Sequence, residues 1–250
     1  MAVNTKTLEA AKTTLRQALA ASGGNTKDKE VIAAIENLQS LNPITAPARS
    51  DTLLDRNWLL ISAPNFPGGE QLADGSFSYT LGRLAFNMFQ PTGLKVTLQR
   101  VAQPVFLLGN GEQCSHDIVV EFTTIDESVP KLNGIVRNQG VCQVVSDTTL
   151  QVEFTGGILQ PQDNQNLEEW KAVFGNQQPS ARRGFKDILM SGFLNLMFGL
   201  VPPQGMNPDT GEISFTMRRS PKGRLEILYV DEELRITRGE RETVLVSERQ

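Results

Sequence analysis

The chain is poor in the residues on which most site chemistry is built. Its 250 residues hold one histidine, two cysteines, two tryptophans and two tyrosines. One histidine excludes a multi-histidine metal centre, and any imidazole-dependent catalysis must use His116. Two cysteines are too few for a disulfide framework. No H-E-x-x-H, C-x-x-C, EF-hand loop, P-loop, dinucleotide fingerprint or G-x-S-x-G elbow occurs. The net charge is −4, without the basic surplus of a nucleic-acid binder. The longest apolar stretch, residues 188–201, is broken by Ser191, Gly192 and Asn195 and falls short of the roughly 20 residues a membrane helix needs. Neither a basic start followed by an apolar core nor an acid-poor, Arg- and Ser-rich leader opens the sequence. The expectation is a mature chain or one that needs no import step. What remains, 39% hydrophobic and 21% charged, suits a soluble protein with a substantial core.

Residues 5–41 read as two helices. Leu8, Ala11, Leu15 and Leu19 recur at helical spacing, and Gly23-Gly24 stops the run. Thr26 is the expected cap of the second helix, with Asp28 in its first turn, and Val31, Ile35 and Leu38 line one face. Pro43 and Pro47 end it, so the chain divides into an N-terminal helical segment, 1–50, and a main domain, 51–250. After Asp51 the period changes to two. Phe77, Tyr79 and Leu81 alternate with polar residues, as do Leu94 to Leu98, Ile118 to Phe122, Leu150 to Phe154, Ile213 to Met217 and Leu225 to Tyr229. Leu234 with Ile236 and Val244 with Val246 continue the pattern. With Trp58 to Ile61 and Ile135-Val136, this makes roughly ten short strands, the pattern of an antiparallel barrel or sandwich. Residues 156–210 interrupt them. This insert opens at Gly156-Gly157, holds a short helix from Leu167 to Phe174 closed by Gly175, and continues into the apolar stretch.

Few side chains offer reactive chemistry. Cys114 and His116 share a strand face at best, and His116 reads as a loop or strand-start residue without a role. Cys114 and Cys142 are able to pair across neighbouring strands, yet two lone cysteines read as reduced and packed. The consecutive acids Asp231, Glu232 and Glu233 are the one carboxylate cluster worth testing for catalysis, and they read as a solvated turn. The segment from Tyr229 to Gly239 is the most distinctive. If Leu234 and Ile236 face inward, Arg235 and Thr237 face outward and Arg238 returns inward. A buried arginine needs a carboxylate or an aromatic face, and Asp231 and Trp58 are candidate partners.

That segment, Tyr229-Val230-Asp231-Glu232-Glu233-Leu234-Arg235-Ile236-Thr237-Arg238-Gly239 followed by Val244-Leu245-Val246, resembles the C-terminal signature of the plastid-lipid-associated protein (PAP)/fibrillin family. Leu53-Leu54-Asp55-Arg56-Asn57-Trp58-Leu59-Leu60 is similar to the family's N-terminal block, and Val152-Glu153-Phe154 with Pro161 to its middle block. Arg56 and Glu242 stand where the family pattern has glycine. The resemblance implies a mainly β fold, a lipocalin-like antiparallel barrel of about eight to ten strands behind N-terminal helices, with an apolar interior. It implies a non-enzymatic protein of thylakoid membranes or lipid bodies, in a cyanobacterium or as a processed plastid chain. Its partners would be isoprenoids, carotenoids, quinones or acyl lipids, with no cofactor beyond such a ligand and no nucleic acid. The alternative is an assembly protein that docks on a photosynthetic membrane complex. For a barrel of this kind, Trp58, Phe77, Tyr79, Phe122, Phe154 and Tyr229 are the expected ligand-lining residues, with Phe193 and Met197 over the mouth. Trp58, Asp231, Arg235 and Arg238 are the expected closure of the barrel.

Overall fold

The computed structural model describes residues 5–53, 56–109, 113–177, 199–201, 203, 205–219 and 222–250. Two helices, α1 (Thr5–Ala21) and α2 (Lys29–Ser40), open the chain. Fourteen strands follow among the described residues: β1 (Arg56–Leu60), β2 (Glu70–Gln71), β3 (Phe77–Thr80), β4 (Lys95–Val105), β5 (Leu107–Leu108), β6 (Gln113–Ser115), β7 (Ile118–Thr124), β8 (Asn133–Val144), β9 (Thr149–Pro161), β10 (Leu200–Val201), β11 (Ile213–Met217), β12 (Lys222–Val230), β13 (Leu234–Gly239) and β14 (Val244–Arg249). A short helix α3 (Leu81–Leu84) lies between β3 and β4, and α4 (Leu167–Phe174) follows β9.

Eight of the strands close on themselves. The ring runs β9-β12-β13-β14-β1-β4-β7-β8 and returns to β9 through the long β8–β9 hairpin, antiparallel throughout. Closure removes the exposed edges of an open sheet. The short strands hang outside the ring: β11 and β10 extend from β9, β3 and β2 from β4, and β6 and β5 from β8. The mainly β barrel behind N-terminal helices is therefore present.

Local chemistry explains the N-terminal helices. Ala11, Leu15 and Leu19 form the buried stripe of α1. The chain reverses at Gly24, whose φ of +80° suits glycine and where a Cβ would stand 2.5 Å from the Ala63 nitrogen. Asp28, rather than Thr26, caps α2: its side chain accepts from the Glu30 amide, while the Thr26 hydroxyl donates to Val244 O at 3.1 Å.

The helices lie on the outside of the barrel, which inverts one sequence expectation. Leu234, Ile236, Val246 and Tyr229 point outward and form one core with Leu15, Leu19, Val31, Ile35 and Leu38. The intervening residues face the lumen. Arg235 pairs with Ser247, and Thr237 with Leu245. Arg235, not Arg238, is therefore the buried arginine, at 4% exposure. Arg238 lies on the helix-covered phase but near the hairpin tip, where it pairs with Glu226 and Glu242. Apolar alternation marks whichever face is covered by hydrocarbon, and here the helices cover the outside.

Side chains pack into the lumen toward both ends. At one end Val96, Val120, Phe122, Val136 and Leu159 pack with Leu81, Leu84 and Phe89 of the loop after β3, and with Trp170 and Phe174 of α4. At the other, Val105, Cys142, Leu150, Val152 and Val230 meet Ala48 and Leu53 from the segment between α2 and β1. Gly156 and Gly157 do not begin an insert; they lie inside β9. A Cβ on Gly157 would stand 2.5 Å from the Phe215 ring, so glycine lets β11 pack there. The helix from Leu167 to Phe174 forms and stops at Gly175, whose amide donates to Lys171 O.

Candidate functional site

Between these two clusters lies a cavity of about 470 Å³. This is within the usual size range of ligand sites. Its wall follows from the strand registers. Trp58 on β1 stands opposite Gln103 on β4, Leu60 opposite Ser247, and Arg235 opposite the same Ser247 from the other side. Leu60, Val101, Ile118, Phe154, Leu225 and Leu245 supply the apolar surface. Phe86 and Asn87 overhang it from the loop after α3. Both have left-handed backbone, with φ of 52° and 58°. Such residues carry a conformational cost and need tertiary support. Here the support is Asn138, buried on the lumen face, whose Nδ2 donates to Leu84 O at 2.8 Å. The Phe86 ring sits 5.4 Å from that of Phe154.

A polar layer crosses the lumen at the base of this cavity. The Arg235 guanidinium lies 5.0 Å from the Trp58 ring centroid. Its Nη2 donates to Gln103 Oε1. That fixes the amide: with its oxygen on Arg235, the Gln103 nitrogen faces His116, 3.0 Å from Nε2 and 3.2 Å from Nδ1. An amide nitrogen donates, so His116 has to offer a lone pair and stay neutral. Burial, reinforced by the Arg235 charge, holds the His116 pKa down to about 3. Burial also pushes Arg235 down to about 9, which leaves it charged at neutral pH. Its Nε has no hydrogen-bond partner, and no carboxylate among the described residues forms an ion pair with it.

Beyond this layer a second cavity of about 260 Å³ shares Arg235, His116 and Leu225 with the first. Cys114 and Cys142 line it. They are directly opposite each other on β6 and β8, with Cα atoms 5.2 Å apart, and form a disulfide. The expectation that both stay reduced gives way to register: the ladder holds them at bridging distance. Phe106, Leu107, Val144 and Val145 are exposed at the same end of the barrel.

The acidic turn after β12 clamps α1. Lys12, 4% exposed, reaches Asp231 at 2.6 Å, Glu9 at 2.9 Å and Glu233 at 3.3 Å. The Asp231 carboxylate also accepts from the Tyr229 hydroxyl at 2.6 Å and from the backbone amides of Glu233 and Leu234. Burial works against its charge, but Lys12, Tyr229 and the two amides outweigh this and hold it below the usual carboxylate range. Asp231 thus belongs to Lys12 and not to an arginine of the barrel.

The expected lining residues separate accordingly. Trp58 and Phe154 face the 470 Å³ cavity. Tyr79 and Phe122 lie in the filled end, with the Tyr79 hydroxyl on Pro64 O at 2.9 Å. Phe77 borders a surface crevice beneath α1. Tyr229 is in the outer core. Phe193 and Met197 lie outside the described residues. The sequence reading missed Gln103, His116, Asn138, Thr237 and Ser247. A signal existed for two of them: Gln103 falls in phase with Val101 and Val105, and Asn138 with Val136, so each is a polar residue on a buried stripe.

No metal-binding group of acidic, histidine or cysteine side chains occurs among the described residues, and no helix among them is long and apolar enough to cross a membrane. In comparison with known proteins, the model of the PAP_fibrillin family matches residues 4–248. No curated protein and no solved structure matches the chain.

Proposed function

The chain belongs to the PAP_fibrillin family, and from that premise we propose that it is a non-enzymatic binding protein which holds one apolar or amphiphilic lipid in the barrel lumen. The observation that carries this reading is the 470 Å³ cavity itself, walled by aliphatic and aromatic side chains and crossed by a few placed polar groups. A barrel with a purely structural interior would be filled along its length, as this one is at the end that holds Trp170 and Phe174. The carboxylates of Asp231 and Glu233 are committed to Lys12 and Arg16, which supports a non-catalytic reading. The family likeness extends the proposal to a site at a thylakoid membrane or lipid body, with an isoprenoid, carotenoid, quinone or acyl lipid as the occupant. The test is mass spectrometry of an organic-solvent extract of protein purified without detergent from its native host, together with titration of the emptied protein by the neutral dye aminoanthracene. One lipid per chain, or saturable dye binding displaced by lipid, is expected. An empty extract with no dye binding overturns the reading.

A second reading is favoured by the exposed apolar residues. Phe106, Leu107, Val144 and Val145 cluster around the disulfide end through the Leu107–Cys114–Cys142 ladder. Such a patch suits docking on a lipid surface or a membrane complex. Flotation with anionic lipid vesicles tests it: Leu107→Ser with Val145→Ser abolishes flotation if this end docks on lipid and leaves it unchanged if it does not.

A further inference from the structure

The lumen holds a charge that the described protein groups do not neutralise. Arg235 is 4% exposed. Around it stand a neutral amide, a neutral imidazole and an indole face, none of which carries a negative charge. Its Nε–H is buried and unpaired. A buried cation without an anion is strongly unfavourable, and so is a buried donor without an acceptor. Lys12, the other buried cation among the described residues, has three carboxylates within reach. The turn before β13 gives its carboxylates to Lys12, while Asp51 lines the smaller cavity with Arg235 and no ion pair to Arg235 occurs among the described residues.

We propose that the cavity takes a single-chain amphiphile with a carboxylate head, bound head inward on Arg235. This rests on the reading of the lumen as a ligand site and specifies its ligand. One guanidinium calls for one negative charge, and its planar fork matches the two oxygens of a carboxylate. The free Nε–H is one of the two donors needed on a single edge. Ser247 lies directly across from Arg235 in the ladder, and Thr237 two residues along on the same face; both border the cavity and bring hydroxyls to the head group. The tail then runs from this layer along Leu60, Leu225, Leu245 and Phe154 toward Phe86 at the opening. Gln103 is a positioning residue, since it orients Arg235 and holds His116 as a neutral acceptor. The smaller cavity behind Arg235 leaves space for water at the head.

The experiment needs no variant to decide the matter. Hexadecanoic acid and its methyl ester, with the same tail, compete against neutral aminoanthracene for the lipid-stripped full chain. The acid is expected to bind about tenfold or more tightly than the ester, the usual advantage of a charge-assisted pair over a neutral contact. Equal binding of acid and ester overturns this inference while the lumen remains a ligand site. Binding of neither overturns both. Arg235→Met, checked for native circular dichroism, is expected to lose the preference for the acid and to keep the ester. If that variant does not fold, Arg235→Lys keeps the charge without the fork and is expected to reduce the preference rather than abolish it. A folded Arg235→Met that still prefers the acid overturns the assignment of the head site.

Discussion

The two faces of β13 solve opposite problems with the same six residues. On the outer face Leu234 and Ile236 are fully buried beneath α1 and α2, in an apolar core edged by the Tyr229 hydroxyl and its Asp231–Lys12 clamp. On the lumen face Arg235 and Thr237 are as deeply buried, yet they border a cavity and leave a donor unpaired. The outer face pairs its buried cation with carboxylates, and the lumen face does not. Burial alone therefore does not separate scaffold from site. The separation comes from whether each polar group has its partner and each apolar group its neighbour.

The sharpest test of that difference is truncation on each side. Leu38→Ala opens a hole in a packed region and is expected to cost about 2–5 kcal/mol in urea unfolding. Leu245→Ala removes wall from a space that already exists and is expected to cost about 1 kcal/mol, while it changes lipid affinity. Equal costs would break the comparison. Next in size is Asp231→Ala. It takes the nearest anion from Lys12, which is 4% exposed, and is expected to cost about 3 kcal/mol. Arg238→Ala, at a pair whose partners are 40% and 80% exposed, is expected to cost well under 1 kcal/mol. The Asp231 contribution has a defined pH window. Its carboxyl is depressed in the folded state, so the stabilisation is present above the unfolded value of about 4 and is lost as pH falls through the folded one.

The lumen face carries its own pH signature. His116 is neutral and buried, with a folded pKa of about 3 against 6.5 unfolded. Its contribution is therefore complete above pH 6.5. Between 6.5 and about 3 the unfolded chain takes up a proton that the native protein refuses, and stability falls by about 1.4 kcal/mol per pH unit. Urea midpoints measured from pH 7 down to 4.5 show this slope in the parent and not in His116→Gln. An unchanged slope would place the titrating group elsewhere.

Much of the architecture was legible in the sequence because it rests on periodicity. The strands from Leu94 to Leu98, Ile118 to Phe122, Leu150 to Phe154 and Ile213 to Met217 formed where alternation placed them, and so did the helix at Leu167 to Phe174. The facing of β13 was not legible. Alternation says which residues share a face, while which face is the lumen depends on the helices of residues 5–40 packing outside. Gly156-Gly157 read as a break because glycine ends many strands, yet here it makes room for Phe215 of β11, a contact distant in the chain. The polar layer was legible only in part. Arg235 stood out, but Gln103 and Asn138 acquire meaning only once the ring closes and brings β4, β8 and β13 around one space.

The smallest effect expected is at the turn that sets the two faces apart. Residues 239–243 join β13 to β14: the Glu242 amide donates to Gly239 O at 3.0 Å, and the Gly239 amide to Thr243 O at 2.9 Å. This is a tight turn followed by one left-handed residue, and that residue is Glu242, with φ of 55°. Glycine suits the position, and glutamate bears a strain of about 1 kcal/mol there. The turn fixes the register in which Arg238 meets Val244, and with it which residues of β13 face the lumen. Glu242→Gly keeps that register, so Arg235 stays in place and lipid affinity is unchanged. It relieves the strain and gives up only an exposed contact to Arg238, so a gain of up to about 1 kcal/mol in urea unfolding is expected. A loss of stability with altered lipid binding would mean instead that Glu242 holds the hairpin in register, and that the division between the two faces of β13 depends on its side chain.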